Sequence, residues 1–392
     1  MKKVFLFALC ISWLLNSSCK NEAREINITT FETIGGIEYV HNPETPLYPD
    51  RKVSFKEELS IEEEDEAGRI QLYKPDKFIV DGNENIYICD QQDCAIKVFN
   101  SDGRLIRSFG RKGQGPGEFQ YFASLALLPN GNLLVQDAKQ ARTSIFSLDG
   151  RFLSSHIILS SGKYSVSYYI YFTTDSSYTR NESVAGKQMK RFVKTYDLSG
   201  RELLSFGEFK EPQFQKYQVA GQWIGHEELF VARSVVAGDQ TNKILYHSLG
   251  DKFLIEIYNQ DGRLFRKIDR PYKNLPVLDE DIRRFIEGMA IKGNISWRMV
   301  ADKIEAPKFK PVMQRMIVDD IGNLWIQTYE EREREGKTFS GYDIFNNQGV
   351  YEARIWSDLP PQIFQKGKMY LMKEDPETGS RSLKRYEVIW ND

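Results

Sequence analysis

Hydrophobic and polar residues alternate with a period of two from Lys74 to Phe119, and turn residues interrupt the alternation at regular intervals. The pattern predicts four short strands, at Phe78–Val80, Ile86–Cys89, Ile96–Phe99 and Leu105–Phe109. Gly82 and Gly103 mark turns between them, because glycine reaches positive φ without strain. A lone four-stranded antiparallel meander cannot bury both of its faces, so the pattern predicts further copies beside it.

Such copies follow at spacings of roughly 40–60 residues. The second closely repeats the first, whereas the third is degenerate, and its earlier strands are expected in Tyr164 to Thr174. The copies are expected at Phe122 to Ile158, around Phe192 to Phe206, at Trp223 to Arg270 with a strand at Leu229–Ala232, and from Val312 onward. The repetition predicts an all-β chain of four-stranded antiparallel blades.

One segment departs from the period of two. Between Asp279 and Ala306, apolar residues fall at helical spacing, with Asp279 as a candidate N-cap and Gly293 near a stop. We therefore expect a short helical insertion at about 279–306, between the fourth and fifth blades. Two interpretations stay open: a cap that covers one side of the blades, or a lid over a ligand pocket.

The two ends of the chain each hold an incomplete set of strands. Pro360 to Trp390 holds three predicted strands, whereas Ile34–Val40 and Val53–Ile61 are strand-like pieces with no local partner. An N-terminal strand that joins the last sheet would complete it and remove the open edges. Five full sheets and this composite one predict a closed six-bladed β-propeller over residues 31–392.

The motifs VDGNENIYICD, VFNSDG and FGRKGQGPGEF within Lys74 to Phe119 resemble an NHL-repeat blade. The whole chain is similar to the six-bladed β-propeller lipoproteins of Gram-negative bacteria. This resemblance implies a six-bladed propeller and no particular activity, because these motifs specify architecture rather than chemistry.

The first residues have the pattern of a lipoprotein signal peptide. Lys2 and Lys3 precede an apolar run from Val4 to Leu15, which is too short to span a bilayer, and Cys19 follows small residues. We expect a signal peptide at 1–19, lipidation of Cys19 and a polar tether at 20–30. The predicted location is the cell envelope, as an outer-membrane lipoprotein that faces the periplasm or the surface, with the membrane contacted through the N-terminal lipid.

Candidate ligand-binding residues lie in the predicted loops between the second and third strands of the first two blades. These loops are expected at one rim of the central channel, where polar side chains could bind a ligand. The candidates are Asp90, Gln91, Gln92, Asp137, Lys139, Gln140 and Arg142. For the two aspartates, turn capping is the competing interpretation.

Other candidate chemistry is sparse. The segment from Gly110 to Phe119 is rich in glycine, but no helix or Lys-Ser/Thr ending follows, so it predicts a connection between blades rather than a phosphate loop. Cys89 and Cys94 flank one hairpin and could form a disulfide or remain two thiols. The scattered histidines His41, His156, His226 and His247 show no metal-ligand spacing, so no metal and no cofactor are predicted.

The formal net charge of -2 gives no electrostatic support for nucleic-acid binding, so no nucleic-acid partner is predicted. The sequence favours a binding or scaffold module for a glycan, a peptide or an envelope protein, and favours this over catalysis. The alternative is a metal-dependent propeller hydrolase or lyase of the lactonase kind. That alternative requires acidic or amide side chains that converge on the propeller axis.

Overall fold

The computed structural model describes residues 28–65, 67–157, 165–166, 169–184, 190–289 and 297–391. Within these residues, six antiparallel sheets form the blades of a propeller, so the predicted fold is confirmed. The predicted signal peptide, Cys19 and most of the tether lie outside the described residues. No helix in the described ranges has both the length and the apolar character that crossing a membrane requires.

The first part of the chain forms three strands and two regular blades. Before the first blade come β1 (Thr30–Ile34), β2 (Ile37–His41) and β3 (Lys52–Ile61). Blade I contains β4 (Pro75–Val80), β5 (Ile86–Asp90), β6 (Ala95–Phe99) and β7 (Leu105–Phe109). Blade II contains β8 (Phe122–Leu127), β9 (Asn132–Asp137), β10 (Arg142–Ser147) and β11 (Phe152–Ile157).

The middle of the chain is less regular. A short strand β12 (Ser165–Val166) precedes blade III, which contains β13 (Ile170–Thr173), β14 (Ser177–Val184), β15 (Lys190–Asp197) and β16 (Glu202–Phe209). A separate hairpin follows, formed by β17 (Phe214–Val219) and β18 (Gln222–Glu227). Blade IV contains β19 (Val235–Asp239), β20 (Ile244–Ser248), β21 (Leu254–Tyr258) and β22 (Leu264–Asp269).

The last part of the chain contains the helical insertion and two blades. Its helices, α1 (Asp279–Glu287) and α2 (Trp297–Ala301), confirm the predicted insertion between blades IV and V. Blade V contains β23 (Arg315–Val318), β24 (Leu324–Arg334), β25 (Lys337–Phe345) and β26 (Tyr351–Ser357). Blade VI contains β27 (Ile363–Gln365), β28 (Lys368–Glu374), β29 (Arg381–Asn391) and, from the other end of the chain, β3.

The pairing of β3 with β29 closes the ring. The two strands are antiparallel, and their register runs from Leu383 opposite Ile61 to Asn391 opposite Lys52. The prediction that an N-terminal strand completes the last blade is therefore confirmed. Because every blade then has a neighbour on both faces, the ring leaves no blade face open to solvent.

The other N-terminal piece has a different partner from the one expected. The segment predicted as one strand around Gly35 contains the turn of a hairpin, in which β1 pairs with β2. The hairpin extends blade IV, because β2 runs parallel to β22 along its outer edge. The expectation that these residues lack a local partner was wrong, since positive φ at Gly35 and Gly36 allows the tight turn that brings β1 back onto β2.

The third and fourth copies also depart from the predicted boundaries. In blade III, only β12 and β13 lie in the expected segment, and the second strand is β14. Blade IV begins at Val235, so the predicted strand at Leu229–Ala232 was wrong. Leu229 is instead buried against Ile286 and Val300 in the core that joins the separate hairpin to the two helices.

A recurring glycine explains why the Asp-Gly corner repeats along the chain. In each of blades I to V, the glycine between the third and fourth strands has positive φ and faces the fourth strand of the preceding blade. A Cβ atom at Gly150, for example, would lie 2.7 Å from ring atoms of Phe109. The corresponding pairs are Gly103 with Leu59, Gly200 with His156, Gly262 with Leu204, and Gly349 with Ile268. The motif therefore sets the spacing between blades as well as the turn.

Candidate functional site

The first strands of the six blades surround an axial cavity of about 680 Å³. Every blade contributes residues from its innermost strand, from Ile79 in blade I to Ile363 in blade VI. This volume lies within the range of pockets that bind small ligands. The axial cavity is therefore a candidate binding site.

The two ends of the cavity differ. The first strand of each blade begins next to the place where the second strand ends, as shown by Pro75 opposite Asp90 and Phe122 opposite Asp137. Starts of first strands and loops between second and third strands therefore share one face of the propeller. We call this the entry face.

Most polar side chains that line the cavity are engaged by the protein itself. The Gln240 amide donates to the carbonyl of Thr173 at 3.3 Å and to its hydroxyl at 2.9 Å. The Gln314 amide donates to the carbonyl of Thr328 at 2.8 Å, and the Gln362 side chain accepts the Met372 amide at 3.0 Å. These amides hold strands together and contribute little hydrogen-bonding capacity to a ligand.

Arginines are the exception. Arg191, Arg233 and Arg315 all line the cavity, but only Arg191 has an ion-pair partner in the described ranges, with its Nε 2.7 Å from an Oε of Glu211. Burial raises the pKa of Glu211, although the charges of Arg191 and Arg233 oppose this shift. Neither Arg233 nor Arg315 has a carboxylate within ion-pair distance in the described ranges, although Arg233 is close enough to Glu211 for its charge to act on that carboxylate.

The two unpaired arginines lie at the entry face. Arg233 comes just before β19, Arg315 begins β23, and Tyr169 comes just before β13. The Tyr169 side chain is 58% exposed, and Arg315 is half-buried, with burial lowering its pKa. We call Tyr169, Arg233 and Arg315 the arginine mouth. Its positive charge and planar donors suit a carboxylate or a phosphate.

The hairpin and the two helices form a cap that joins the entry face. Both insertions leave and rejoin the propeller where one blade's last strand leads to the next blade's first strand. The cap is anchored to its surroundings by ion pairs between Lys310 and Asp281, at 2.7 Å, and between Arg284 and Glu331, at 3.3 Å. A side cavity of about 240 Å³ lies between cap and propeller, and Arg233 lines both this cavity and the axial one.

The two predicted aspartates lie on the entry face but face the protein. Asp90 is fully buried and accepts main-chain N–H groups from Tyr73 at 2.7 Å and Lys74 at 3.1 Å. Asp137 accepts the N–H groups of Gln120 at 2.6 Å and Tyr121 at 3.3 Å. Each carboxylate thus fixes the chain that enters a blade, as the capping interpretation describes.

The five other candidates surround the connection between blades I and II. Gln91 accepts the Phe122 amide at 3.1 Å, Gln140 donates to the carbonyl of Gly113 at 3.2 Å, and Arg142 donates to that of Gly115 at 3.1 Å. Gln92 and Lys139 are exposed in the loops. None of the seven candidates is among the residues that line the axial cavity. Their binding role stays a prediction, and most of their polar groups already have partners.

The glycine-rich connection and the two cysteines are also structural features. The segment after Gly110 folds back on itself through a bridge between Lys112 and Phe119, with no helix after it. Cys89 and Cys94 are both buried free thiols, so the structure supports two thiols rather than a disulfide. The register explains this, because Ile96 lies opposite Cys89, whereas Cys94 lies in the turn with φ of 51°.

The described residues offer no donor set for a metal. No group of three or more His, Cys, Asp or Glu side chains in these ranges could hold an ion. Among the residues that line the axial cavity, none is acidic, and two unpaired arginines would repel a cation. The hydrolase alternative required acidic or amide side chains that converge on the propeller axis. Glutamines are the residues of this kind that line the axial cavity, and three of them are hydrogen-bonded to main-chain groups.

Comparison with known proteins supports the fold. The family model DUF5128, described as a 6-bladed beta-propeller, matches residues 72–206, which is less than half of the 392-residue chain. No curated protein sequence matches the chain.

Three solved structures are similar to this chain over most of its length, and one of them has a TM-score above 0.5. A member of the duf4221 family from Bacteroides vulgatus has a TM-score of 0.52 at 11% identity, covering 87% of this chain and 99% of that one. A putative exported protein from Bacteroides fragilis has a TM-score of 0.48 at 12% identity, with 90% and 100% covered. A gluconolactonase from Xanthomonas campestris has a TM-score of 0.44 at 12% identity, with 88% and 97% covered. At these identities the likeness is one of fold alone.

Proposed function

We propose that this chain is a lipid-anchored binding module of the cell envelope, and that it binds a small anionic ligand at the arginine mouth. The observation that supports this most is the pair of arginines, Arg233 and Arg315, which line the axial cavity with no carboxylate partner in the described ranges. Guanidinium groups that a protein does not pair itself are available to bind a ligand's carboxylate or phosphate.

The surroundings of the arginines strengthen the proposal. Neighbouring amides are already bonded, so the charged groups and the exposed Tyr169 dominate what the mouth presents. The envelope location rests on the lipoprotein-like pattern at Cys19. A binding role rests on the unpaired arginines and not on a lack of polar side chains, because Ser234 also lines the cavity and lies 3.1 Å from Nε2 of His247. No group of three or more His, Cys, Asp or Glu side chains in the described ranges could hold the metal of a metal-dependent lactonase.

Calorimetric titration tests the proposal. We expect galacturonate to bind and neutral galactose to bind much more weakly, since they differ in one carboxylate. Arg315→Gln and Arg233→Gln should each weaken galacturonate binding about tenfold or more, which is the usual effect of losing hydrogen bonds to a charged group. Arg151→Gln is the matched control, because Arg151 is exposed in a turn on the opposite face.

Equal binding of the acid and the neutral sugar would contradict the proposal. Unchanged affinity in both arginine variants would do so as well. Each variant is first shown to melt like the wild type, so that lost binding cannot come from lost folding.

A further inference from the structure

A serine, a histidine and a glutamate lie in a row across blade IV. Ser234 directly precedes the innermost strand β19, His247 lies on β20 and Glu256 lies on β21. Glu256 is directly opposite His247 in the register. On its other side, His247 is opposite Val236, which is two residues after Ser234. Because residues two apart share a face of a strand, the register places all three side chains on the same side of the blade.

Two contacts position the Ser234 hydroxyl. Its Oγ accepts the main-chain N–H of Lys210 at 2.9 Å and lies 3.1 Å from Nε2 of His247. Since the first contact uses a lone pair of the oxygen, the hydroxyl proton is free to point at the imidazole nitrogen. Ser234 is 3% exposed and lines the axial cavity, so we expect only small groups that enter the cavity to reach it. A serine in this position can lose its proton to the histidine.

Glu256 lies on the other side of the imidazole. Nδ1 of His247 is buried, and Oε2 of Glu256 lies 3.5 Å from it, which is within ion-pair distance but longer than a usual hydrogen bond. Hydrogen bonds between catalytic groups are often long before substrate binds. The contact with His247 is the largest cause that lowers the pKa of Glu256 to about 2, against the opposing effect of burial, so the carboxylate is ionised. An ionised partner at Nδ1 keeps the proton there and leaves Nε2 free to accept one from Ser234.

The surroundings of the histidine are apolar on one side and positive near the cavity. The Phe209 ring, from the last strand of blade III, packs edge-on against the His247 ring with 4.4 Å between the ring centroids. Arg233, the residue before Ser234, lines the same axial cavity. A guanidinium group stabilises negative charge on a reacting oxygen most strongly where water is excluded. Arg233 therefore suits the oxyanion that forms when a serine attacks a carbonyl group.

We propose that Ser234, His247 and Glu256 form a nucleophilic site that hydrolyses small carboxylic esters in the axial cavity. Ser234 is the nucleophile, His247 is the general base, and Glu256 is a positioning residue. The serine oxygen attacks the carbonyl carbon while its proton passes to Nε2, and the bond to the leaving alcohol breaks as the alcohol takes that proton. Water then attacks the acylated serine, gives one proton to Nε2 and releases the carboxylic acid, and Nε2 returns the proton to the serine.

This inference goes beyond the proposed function and does not depend on it, because the three residues are assigned from their own contacts. The two are chemically compatible. Hydrolysis of an ester releases a carboxylate, and a carboxylate is the group that the arginine mouth suits.

Two small serine-directed reagents test the site on the purified protein. Methanesulfonyl fluoride should sulfonylate Ser234, as located by peptide mass spectrometry, and the wild type should release p-nitrophenolate from p-nitrophenyl acetate. Ser234→Ala should abolish both reactions. Because that variant also removes the acceptor of the Lys210 N–H, His247→Gln is the second test, and it should slow both reactions about a hundredfold or more.

The matched control is Ser124→Ala, which should leave both reactions unchanged. Ser124 is likewise buried on an innermost strand, but its hydroxyl donates to the side-chain oxygen of Gln136 at 2.8 Å rather than to a histidine. Glu256→Gln should lower kcat for p-nitrophenyl acetate about tenfold with KM unchanged, and Glu256→Asp should recover part of the loss. A glutamate that served stability alone would change the melting temperature and leave kcat of the folded protein as it is.

The possible failures are distinguishable. If methanesulfonyl fluoride leaves Ser234 unmodified in the folded wild type, the nucleophilic site is refuted, and galacturonate binding would still support the proposed function. If Ser234 is modified and no galacturonate binds, the proposed function fails and the nucleophilic site stands. Modification of Ser234 without release of p-nitrophenolate would refute the ester assignment, and equal hydrolysis by Ser234→Ala and wild type would refute the role of the serine.

Discussion

Replacing Asp90 with alanine should destabilise the protein strongly, although Asp90 was a candidate for ligand binding. Its carboxylate is fully buried and accepts N–H groups from Tyr73, Lys74, Gln92 and Asp93, at 2.7, 3.1, 3.1 and 3.3 Å. Lys97 lies 3.4 Å from it, and both side chains are almost inaccessible, at 8% and 0%. These contacts connect the start of β4 to the loop after β5.

The size of the effect follows from these contacts. Alanine leaves four main-chain donors without the carboxylate, and each lost bond costs about 1 kcal/mol when water can partly replace it. Lys97 keeps a second partner, since Asp93 lies 2.5 Å away, so no full charge is left unpaired. The expected loss is about 3–4 kcal/mol. Asparagine retains one acceptor oxygen but turns an amide toward Lys97, so it should lose about half as much.

Urea unfolding followed by tryptophan fluorescence measures these losses. Gln92→Ala is the control, because Gln92 is exposed in the same loop and should change the unfolding free energy by less than about 0.5 kcal/mol. An Asp90→Ala protein as stable as the wild type would refute the structural role. Weakened galacturonate binding in that stable variant would return Asp90 to the ligand site.

Three further predictions concern the chain ends and the blade corners. Hydrogen bonds, first to Glu32 and second to Asp269, raise the pKa of His41 above its ordinary value of 6.5. Protonated His41 should therefore stabilise the N-terminal hairpin below pH 6.5, and this stabilisation should disappear as the pH rises through the raised pKa. The urea midpoint of the wild type should exceed that of His41→Asn at about pH 5.5 and match it at about pH 8.5. Gly150→Ala should lower the unfolding free energy by about 2–3 kcal/mol, because φ is 89° and Phe109 occupies the position of the new Cβ atom. Gly131→Ala, with φ of 79° and open space around it, should lower it by about 1 kcal/mol. Equal losses of stability in thermal unfolding would show that the contact between blades contributes nothing. Cys19→Ala should move the protein from the membrane fraction to the soluble fraction, and unchanged fractionation would contradict lipid anchoring.

Local sequence patterns predicted the regular blades well, because each strand and turn there is specified by adjacent residues. Asp81 and Asp319 show why: each caps its own turn, and the same carboxylate accepts a bond from Asn85 or Asn323 four residues on. The segment around Leu229 failed for the opposite reason. Its apolar residues pack against helices about sixty residues later, and nothing near them in sequence signals that contact.

The candidate site was predicted less well than the fold. The choice of loops identified the entry face, because propeller topology fixes which loops share a face. It selected blades I and II, whose motifs are clearest, whereas the unpaired arginines belong to blades IV and V. An arginine at the start of a blade's first strand, as at Arg233 and Arg315, is the signal that could have identified them. Whether such an arginine has a carboxylate partner depends on long-range packing.

Diffraction from crystals soaked in selenate tests the anion site most directly, since selenium scatters anomalously and selenate presents oxygens to guanidinium groups as a carboxylate does. We predict an anomalous peak within hydrogen-bonding distance of both Arg233 and Arg315, and its loss in the Arg315→Gln protein. Peaks elsewhere on the surface with none at the arginine mouth would contradict the account.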